Sequence, residues 1–308
     1  MKHPKPSQVQ VIINPSPAHR TPLLAVLNKH FRAAGLRWDV SITHGAGDGR
    51  ALAKQAIERG AGVVAAYGGD GTIAEVASGL VNTGIPLLIL PGGTGNLVAA
   101  ELNVGKTLEK ACQLICGDEY HTRTIDVGRM GDSHFLLRIG CGIETGVLKD
   151  ATRELKNQFG KWAYIFAAIR RLQEHPVADY TIRLNGRETF NAPGVACVVA
   201  NAGTVGLGQL TLAPSVDIDD GKLDLFFLKN ANIEGIVQLA GKMMGIDRGM
   251  DTTPDLDASH LVNHWQVTSV EISTTPKLDI QVDGDIVART PQLIEVLPGA
   301  LTVVVPAP

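Results

Sequence analysis

One stretch limits the folds open to this chain: Tyr67-Gly68-Gly69-Asp70-Gly71-Thr72-Ile73-Ala74-Glu75-Val76. Upstream, Gly62-Val63-Val64-Ala65-Ala66 is a short apolar run suited to a buried strand. Downstream, Ile73, Val76, Ala77 and Leu80 recur at helical spacing. Three glycines bracket one carboxylate at the junction. Such a turn lets backbone N–H groups approach a phosphate without Cβ interference, and the helix start adds a favourable dipole. An aspartate there would repel a bare phosphate, so Asp70 points to a bound cation or a hydroxyl to be oriented. The plainer alternative is an ordinary strand-to-helix turn with Asp70 as a solvated cap.

The surrounding pattern predicts a parallel sheet. Val9–Ile13 reads as a strand stopping at Asn14-Pro15. Thr21-Pro22 opens a helix whose apolar face is Leu23, Leu24, Leu27 and Phe31, and Gly35 ends it. Trp38–Ile42 is a second strand ending at Thr43, and a helix runs from about Arg50 to Arg59. Pro86–Leu90 is a fourth strand delivering Pro91-Gly92-Gly93-Thr94-Gly95-Asn96, followed by short helices around Leu97–Leu102 and Thr107–Cys116. Strands alternating with helices imply right-handed crossovers with both sheet faces covered. Asn14, Thr43 and the two glycine loops then fall at the carboxyl ends of the strands, where open α/β sheets bind ligands. A nucleotide site is the leading expectation.

Other glycine-rich stretches are set aside as local structure. Gly45-Ala46-Gly47-Asp48-Gly49 lacks the last glycine of a dinucleotide fingerprint, Gly140-Cys141-Gly142 lies outside the alternating region, and Gly105-Lys106-Thr107 lacks the first glycine of a P-loop. A net charge of −3 over 308 residues gives no general pull toward nucleic acid. No apolar run approaches the ~20 residues that span a bilayer, and Met1–Pro6 lacks a signal-peptide core. The expected location is the cytoplasm. Cys112, Cys116, Cys141 and Cys197 form no Cys-x-x-Cys pair and read as reduced, buried thiols.

From about Asp126 the pattern changes to short strands, with hairpin turns at Asn185-Gly186 and Asp283-Gly284. The expected division is an α/β domain over residues 1–125 and a β-rich domain over 126–308, the final strands returning toward the first. Two late strands are expected, Leu293–Val296 and Leu301–Val305. One helix, from about Glu154 to Glu174, carries an apolar stripe with Lys156, Lys161, Arg170 and Arg171 around it. It suits either a lipid-facing surface or packing on the sheet.

Together these motifs resemble the diacylglycerol kinase catalytic-domain family, which includes bacterial diacylglycerol kinase-like lipid kinases and sphingosine kinases. The matches are Ile13-Asn14-Pro15, Gly68–Thr72 with Glu75, Pro91–Asn96, Ala200-Asn201-Ala202-Gly203, Asp219-Asp220-Gly221-Lys222-Leu223-Asp224 and Val282-Asp283-Gly284-Asp285. The resemblance implies a doubly wound α/β domain of the NAD kinase/diacylglycerol kinase type, a mostly β domain, and transfer of the ATP γ-phosphoryl group to a lipid hydroxyl. By the same resemblance, Asn14, Thr43, Gly68, Gly69, Asp70, Gly71, Thr72, Ile73, Ala74 and Thr94 contact ATP, and Gly93, Gly95 and Asn96 of the second glycine loop belong to the same nucleotide site. Asp70 organises the phosphates and their Mg²⁺, and Asp285 takes the acceptor proton. Asp217, Asp220 and Lys222 correspond to a structural Mg²⁺ site. Transient membrane contact, a peripheral location and no nucleic-acid partner follow, and a homodimer stays open. The chain departs from the family at Asp285, where glutamate is usual, and at Leu97, where many bacterial members have aspartate. Two alternatives remain: a soluble-acceptor kinase like NAD kinase, and a nucleotide-binding regulator without turnover.

Overall fold

A computed structural model of the protein describes residues 1–15, 22–142, 177–203, 216–229, 262–283 and 285–307. A short strand, β1 (Lys2–Pro4), precedes alternating strands and helices that end in two consecutive helices: β2 (Gln8–Ile13), α1 (Leu23–Ala33), β3 (Arg37–Ile42), α2 (Asp48–Glu58), β4 (Val63–Gly68), α3 (Asp70–Leu80), β5 (Leu87–Pro91), α4 (Leu97–Glu101) and α5 (Leu108–Gln113). The strands pair in parallel in the order β3-β2-β4-β5.

Successive strand residues point to opposite faces, and each face meets its own helices. Val9, Val11 and Ala65 pack with Leu27 and Phe31 of α1 and Ala111 and Cys112 of α5. Ile12, Val64 and Ala66 pack with Ala53 of α2, Ile73 and Val76 of α3 and Val98 of α4. Every residue of β4 is buried, as a doubly covered parallel strand requires. Leu24 departs from the expected apolar face and is 57% exposed, because the stripe of α1 runs through Leu23, Leu27 and Phe31. Cys112 is buried, and burial pushes its thiol up to about 12.

From Glu119 the described residues are almost all strand: β6 (Glu119–Met130), β7 (Ser133–Phe135), β8 (Arg138–Gly142), β9 (Ala178–Leu184), β10 (Glu188–Ala200), β11 (Leu223–Lys229), β12 (Val262–Val267), β13 (Ser269–Thr275), β14 (Asp279–Val282), β15 (Asp285–Arg289) and β16 (Gln292–Val305). β9 alternates buried and exposed positions throughout. It turns into β10 at Asn185-Gly186, both at positive φ (49° and 67°), as a tight hairpin turn requires. Tyr180, Ile182, Cys197, Phe227 and Ile272 belong to the core of this half.

The two late strands expected from the sequence are one strand, β16. A register shift against β6 falls between Leu297 and Leu301, where Pro298 offers no N–H to the ladder and Gly299 takes φ 57°. β16 pairs with β13, runs beside β6 on both sides of the bulge, and meets β5 in parallel at Val303–Leu87. β6 itself runs through residues 125 and 126, where the expected division falls. The buried Asp126 ties this region together. Its Oδ1 accepts the Gly299 N–H at 2.7 Å and its Oδ2 accepts the Gly221 N–H at 2.6 Å.

The basic, apolar-striped helix expected at residues 154–174 lies outside the described residues, as does Gly284. Among the described residues, no helix is long and apolar enough to cross a membrane.

Candidate active site

The loops leaving β2, β3, β4 and β5 meet at the carboxyl edge of the parallel strands, around a cavity of about 640 Å³. Asn14, Thr43, Gly68, Gly69, Asp70, Gly71, Thr72, Gly93, Thr94 and Gly95 line it, and Asp285 joins them from the start of β15. The structure thus brings into one space residues separated by most of the chain.

α3 supplies the positive pole. Gly69 precedes it in extended backbone, no side chain caps its first turn, and a Cβ on Gly71 would meet nothing within 4 Å. Uncapped N–H groups at the start of an 11-residue helix suit phosphate oxygens. Asn14 Nδ2 donates to Thr72 Oγ1 at 2.9 Å and ties the end of β2 to the same turn.

The two glycine loops touch backbone to backbone. A Cβ on Gly93 would lie 2.5 Å from the Gly69 Cα, so glycine at 93 is what lets them close. The second loop is shaped by Asn96, whose Oδ1 accepts the Gly93 N–H at 2.9 Å and whose Nδ2 donates to the Gly93 carbonyl at 2.8 Å. Asp70 braces the pair, its Oδ1 accepting the Val98 N–H at 3.1 Å. Burial pushes the Asp70 carboxyl up, while N–H groups at the start of α4 pull it down.

Asp285 is exposed opposite Val282 in the β14–β15 hairpin. Asp283 anchors that hairpin. At φ 44° it turns its carboxylate to the N–H groups of Leu136, Leu137 and Arg138, at 3.0, 3.1 and 2.8 Å. Burial pushes its carboxyl up to about 6, against the pull of those donors and of the Arg138 charge.

Three expected ATP-site residues do not line the cavity. The Ile73 side chain is in the core at 2% exposure, Ala74 follows it in α3, and Asn96 is spent on Gly93. Conversely, Pro15, His44, Gly45, Ala46, Glu75 and Gly92 do line it. Of the stretch Gly45–Gly49, read from the sequence as local structure, Gly45 and Ala46 form part of the wall while Gly47, Asp48 and Gly49 do not. The loop leaves the carboxyl end of β3, and that placement is the signal that could have found it. Carboxylates hold it in position: Asp48 Oδ2 accepts the His44 and Gly45 N–H groups at 2.7 and 2.9 Å, which keep its carboxyl below the usual range. Glu75 accepts the Gly47 and Gly49 N–H groups at 2.9 and 3.0 Å.

The expected metal-bearing turn is not part of the cavity wall. Asp217 pairs with Arg123 at 3.1 Å, and Asp219 pairs with the same guanidinium. Asp220 Oδ1 accepts the Lys222 N–H at 2.9 Å, and its Oδ2 accepts from Gln266 at 3.2 Å. Among the described residues, no group of three or more His, Cys, Asp and Glu side chains is gathered to hold a metal.

Residues 8–130 match the family described as the diacylglycerol kinase catalytic domain, and residues 138–305 match the YegS C-terminal NAD kinase beta sandwich-like domain. A Pseudomonas syringae protein named "Probable lipid kinase YegS-like" is 30% identical over 280 residues, covering 90% of this chain and 86% of that protein. An uncharacterized Synechocystis protein is 32% identical over 257 residues, covering 82% of this chain but only 58% of the relative's own length. The crystal structure of a diacylglycerol kinase from Bacillus anthracis has the same fold, with a TM-score of 0.72 at 23% identity over 98% of both chains. Matched in both halves and along nearly its whole length, the chain belongs to the diacylglycerol kinase family of lipid kinases, with a YegS-type β-rich domain following the catalytic domain.

Proposed function

We propose that the protein is an ATP-dependent kinase that phosphorylates the hydroxyl of a lipid, with diacylglycerol as the leading acceptor and a monoacylglycerol or long-chain base as its closest rivals. The observation that carries this reading is the shared cavity, in which an uncapped helix start between two glycine loops and the carboxylate of Asp285 line the same space. Phosphate oxygens would sit against the N–H groups at the start of α3, with Asn14 and Thr72 at its flank. Mg²⁺ entering with ATP would offset the phosphate charge, and Asp70 is the carboxylate among the glycine loops to order it. The acceptor oxygen then bonds to the γ-phosphorus, the bond from that phosphorus to the ADP oxygen breaks, and the hydroxyl proton passes to Asp285. Asp285 is one C–C bond shorter than the family's usual glutamate, so the acceptor must approach it more closely by ~1.5 Å. The acceptor lies in a bilayer, so the reading includes transient peripheral contact with a membrane surface.

The test is an acceptor screen with labelled Mg·ATP and diacylglycerol, monoacylglycerol, sphingosine and NAD. Labelled phosphatidic acid is the expected product. Labelled NADP would move the protein to the soluble-acceptor class. ATP binding with no transfer to any acceptor would make it a nucleotide-binding regulator.

A further inference from the structure

The β3–α2 loop is rich in glycine and lines the cavity, yet four N–H groups in and just beyond it are already taken. His44 and Gly45 donate to Asp48, and Gly47 and Gly49 donate to Glu75. Two carboxylates therefore hold this loop, whereas no side chain caps the start of α3. A phosphate is favoured at α3 and disfavoured beside the loop by like charge. The wall formed by His44, Gly45 and Ala46 is left for an uncharged part of the ligand, the nucleoside.

We propose that Glu75 is a positioning residue of the nucleotide site. It projects from α3, the helix whose first turn would take the phosphates, and binds the loop that forms the nucleoside wall. It thereby sets the separation of the two subsites without reacting itself. The proposal rests on the reading of the cavity as an ATP site.

The geometry explains why glutamate is needed. Each carboxylate oxygen accepts one N–H, from Gly47 to Oε1 and from Gly49 to Oε2. Glutamine has one accepting oxygen and would turn an NH₂ group toward the other N–H. Aspartate falls short by about one C–C bond, ~1.5 Å. The contact is also tight, since a Cβ on Gly49 would stand 2.8 Å from the Glu75 Cβ.

The experiment measures Mg·ATP affinity by calorimetry for the wild type, Glu75→Gln and Glu75→Ala, with steady-state kinetics on an accepted lipid. Glu75→Ala should weaken ATP binding by about 10- to 100-fold, the scale of one or two hydrogen bonds to a charged group. KM for ATP should rise in parallel while KM for the lipid holds, and Glu75→Gln should fall between wild type and alanine. A merely structural role would lower the melting temperature and kcat together without moving KM for ATP. Wild-type ATP affinity in folded Glu75→Gln overturns the proposal, and this isosteric variant decides the matter even if Glu75→Ala does not fold. Failure of the wild type to bind Mg·ATP is a separate result, which removes the ATP reading itself.

Discussion

Asp285 and Asp283 stand two residues apart on one hairpin, the first exposed at the cavity and the second bound to three backbone N–H groups. If Asp285 is the base, Asp285→Asn should leave ATP affinity intact and lower kcat by roughly 10²–10⁴-fold, the usual scale of general-base catalysis. Wild-type turnover in that variant would transfer the role to Asp70. Asp283 predicts a pH effect instead. Its carboxyl titrates at about 6 when folded, above its ordinary 3.8, so the folded state holds the proton more tightly. Its stabilising contribution is then complete below about pH 4 and lost as pH rises through about 6. Melting temperatures of wild type and Asp283→Asn should diverge in favour of the wild type as pH falls across that window. A difference that ignores pH would mean the three N–H donors fully offset burial. The glycine-loop residues were legible in the sequence, because a glycine beside a strand end states a backbone requirement. Glu75 was legible only as a motif residue and Asp126 only as the start of the strand-rich half. Their partners are amides 26 to 28 and 95 to 173 residues away, and local pattern does not encode such pairings.

At the scale of elements, the close approach of the β4–α3 and β5–α4 loops makes the sharpest demand. Gly93→Ala would place a Cβ 2.5 Å from the Gly69 Cα, a backbone atom that no rotamer change can move aside. Gly69→Ala is the contrast, since its Cβ would stand 3.6 Å from the Gly93 Cα, an ordinary contact. Separating the loops by even ~1 Å can cost roughly 100-fold in rate, so kcat/KM for ATP should fall on that scale in Gly93→Ala. The Gly69→Ala protein should keep its fold. Equal ATP kinetics for wild type and Gly93→Ala would mean the loops are not apposed in solution. β2, β4 and β5 were legible because doubly covered strands are near-continuous apolar runs, and the helices between them have a clear period. β1 was not, since Lys2-His3-Pro4 is polar and gains its strand character only by pairing with His121, Tyr120 and Glu119. β16 read as two strands because Pro298-Gly299 has the chemistry of a turn, whereas β6 pairs across the bulge and keeps the strand whole.

For the whole molecule, one family match ends at residue 130 and the other begins at 138, yet the hydrogen-bonded sheet does not stop between them. β16 joins β13 of the later strands to β5 of the parallel set, and β6 lies along it. Such continuity predicts one cooperative unfolding transition. Asp126 is the residue on which to test it, because its buried carboxylate binds the turn at Gly221 and the β16 bulge at Gly299. Asp126→Ala would leave both N–H groups without that acceptor. At ~1.5–3 kcal/mol for a hydrogen bond to a charged group, the loss should be about 3 kcal/mol or more. Trp38 on β3 and Trp265 on β12 sit in strands far apart along the sheet. Variants that keep only Trp38 or only Trp265, with Trp162 also replaced, can therefore report on each region separately during urea unfolding. One cooperative molecule would show coincident midpoints from both reporters, and Asp126→Ala would lower both equally. If the halves unfold independently, the midpoints separate and Asp126→Ala shifts them by different amounts. That result would make β16 a strand shared between two folding units, and would place the cavity, with Asp285 from one half and α3 from the other, at a joint that can open.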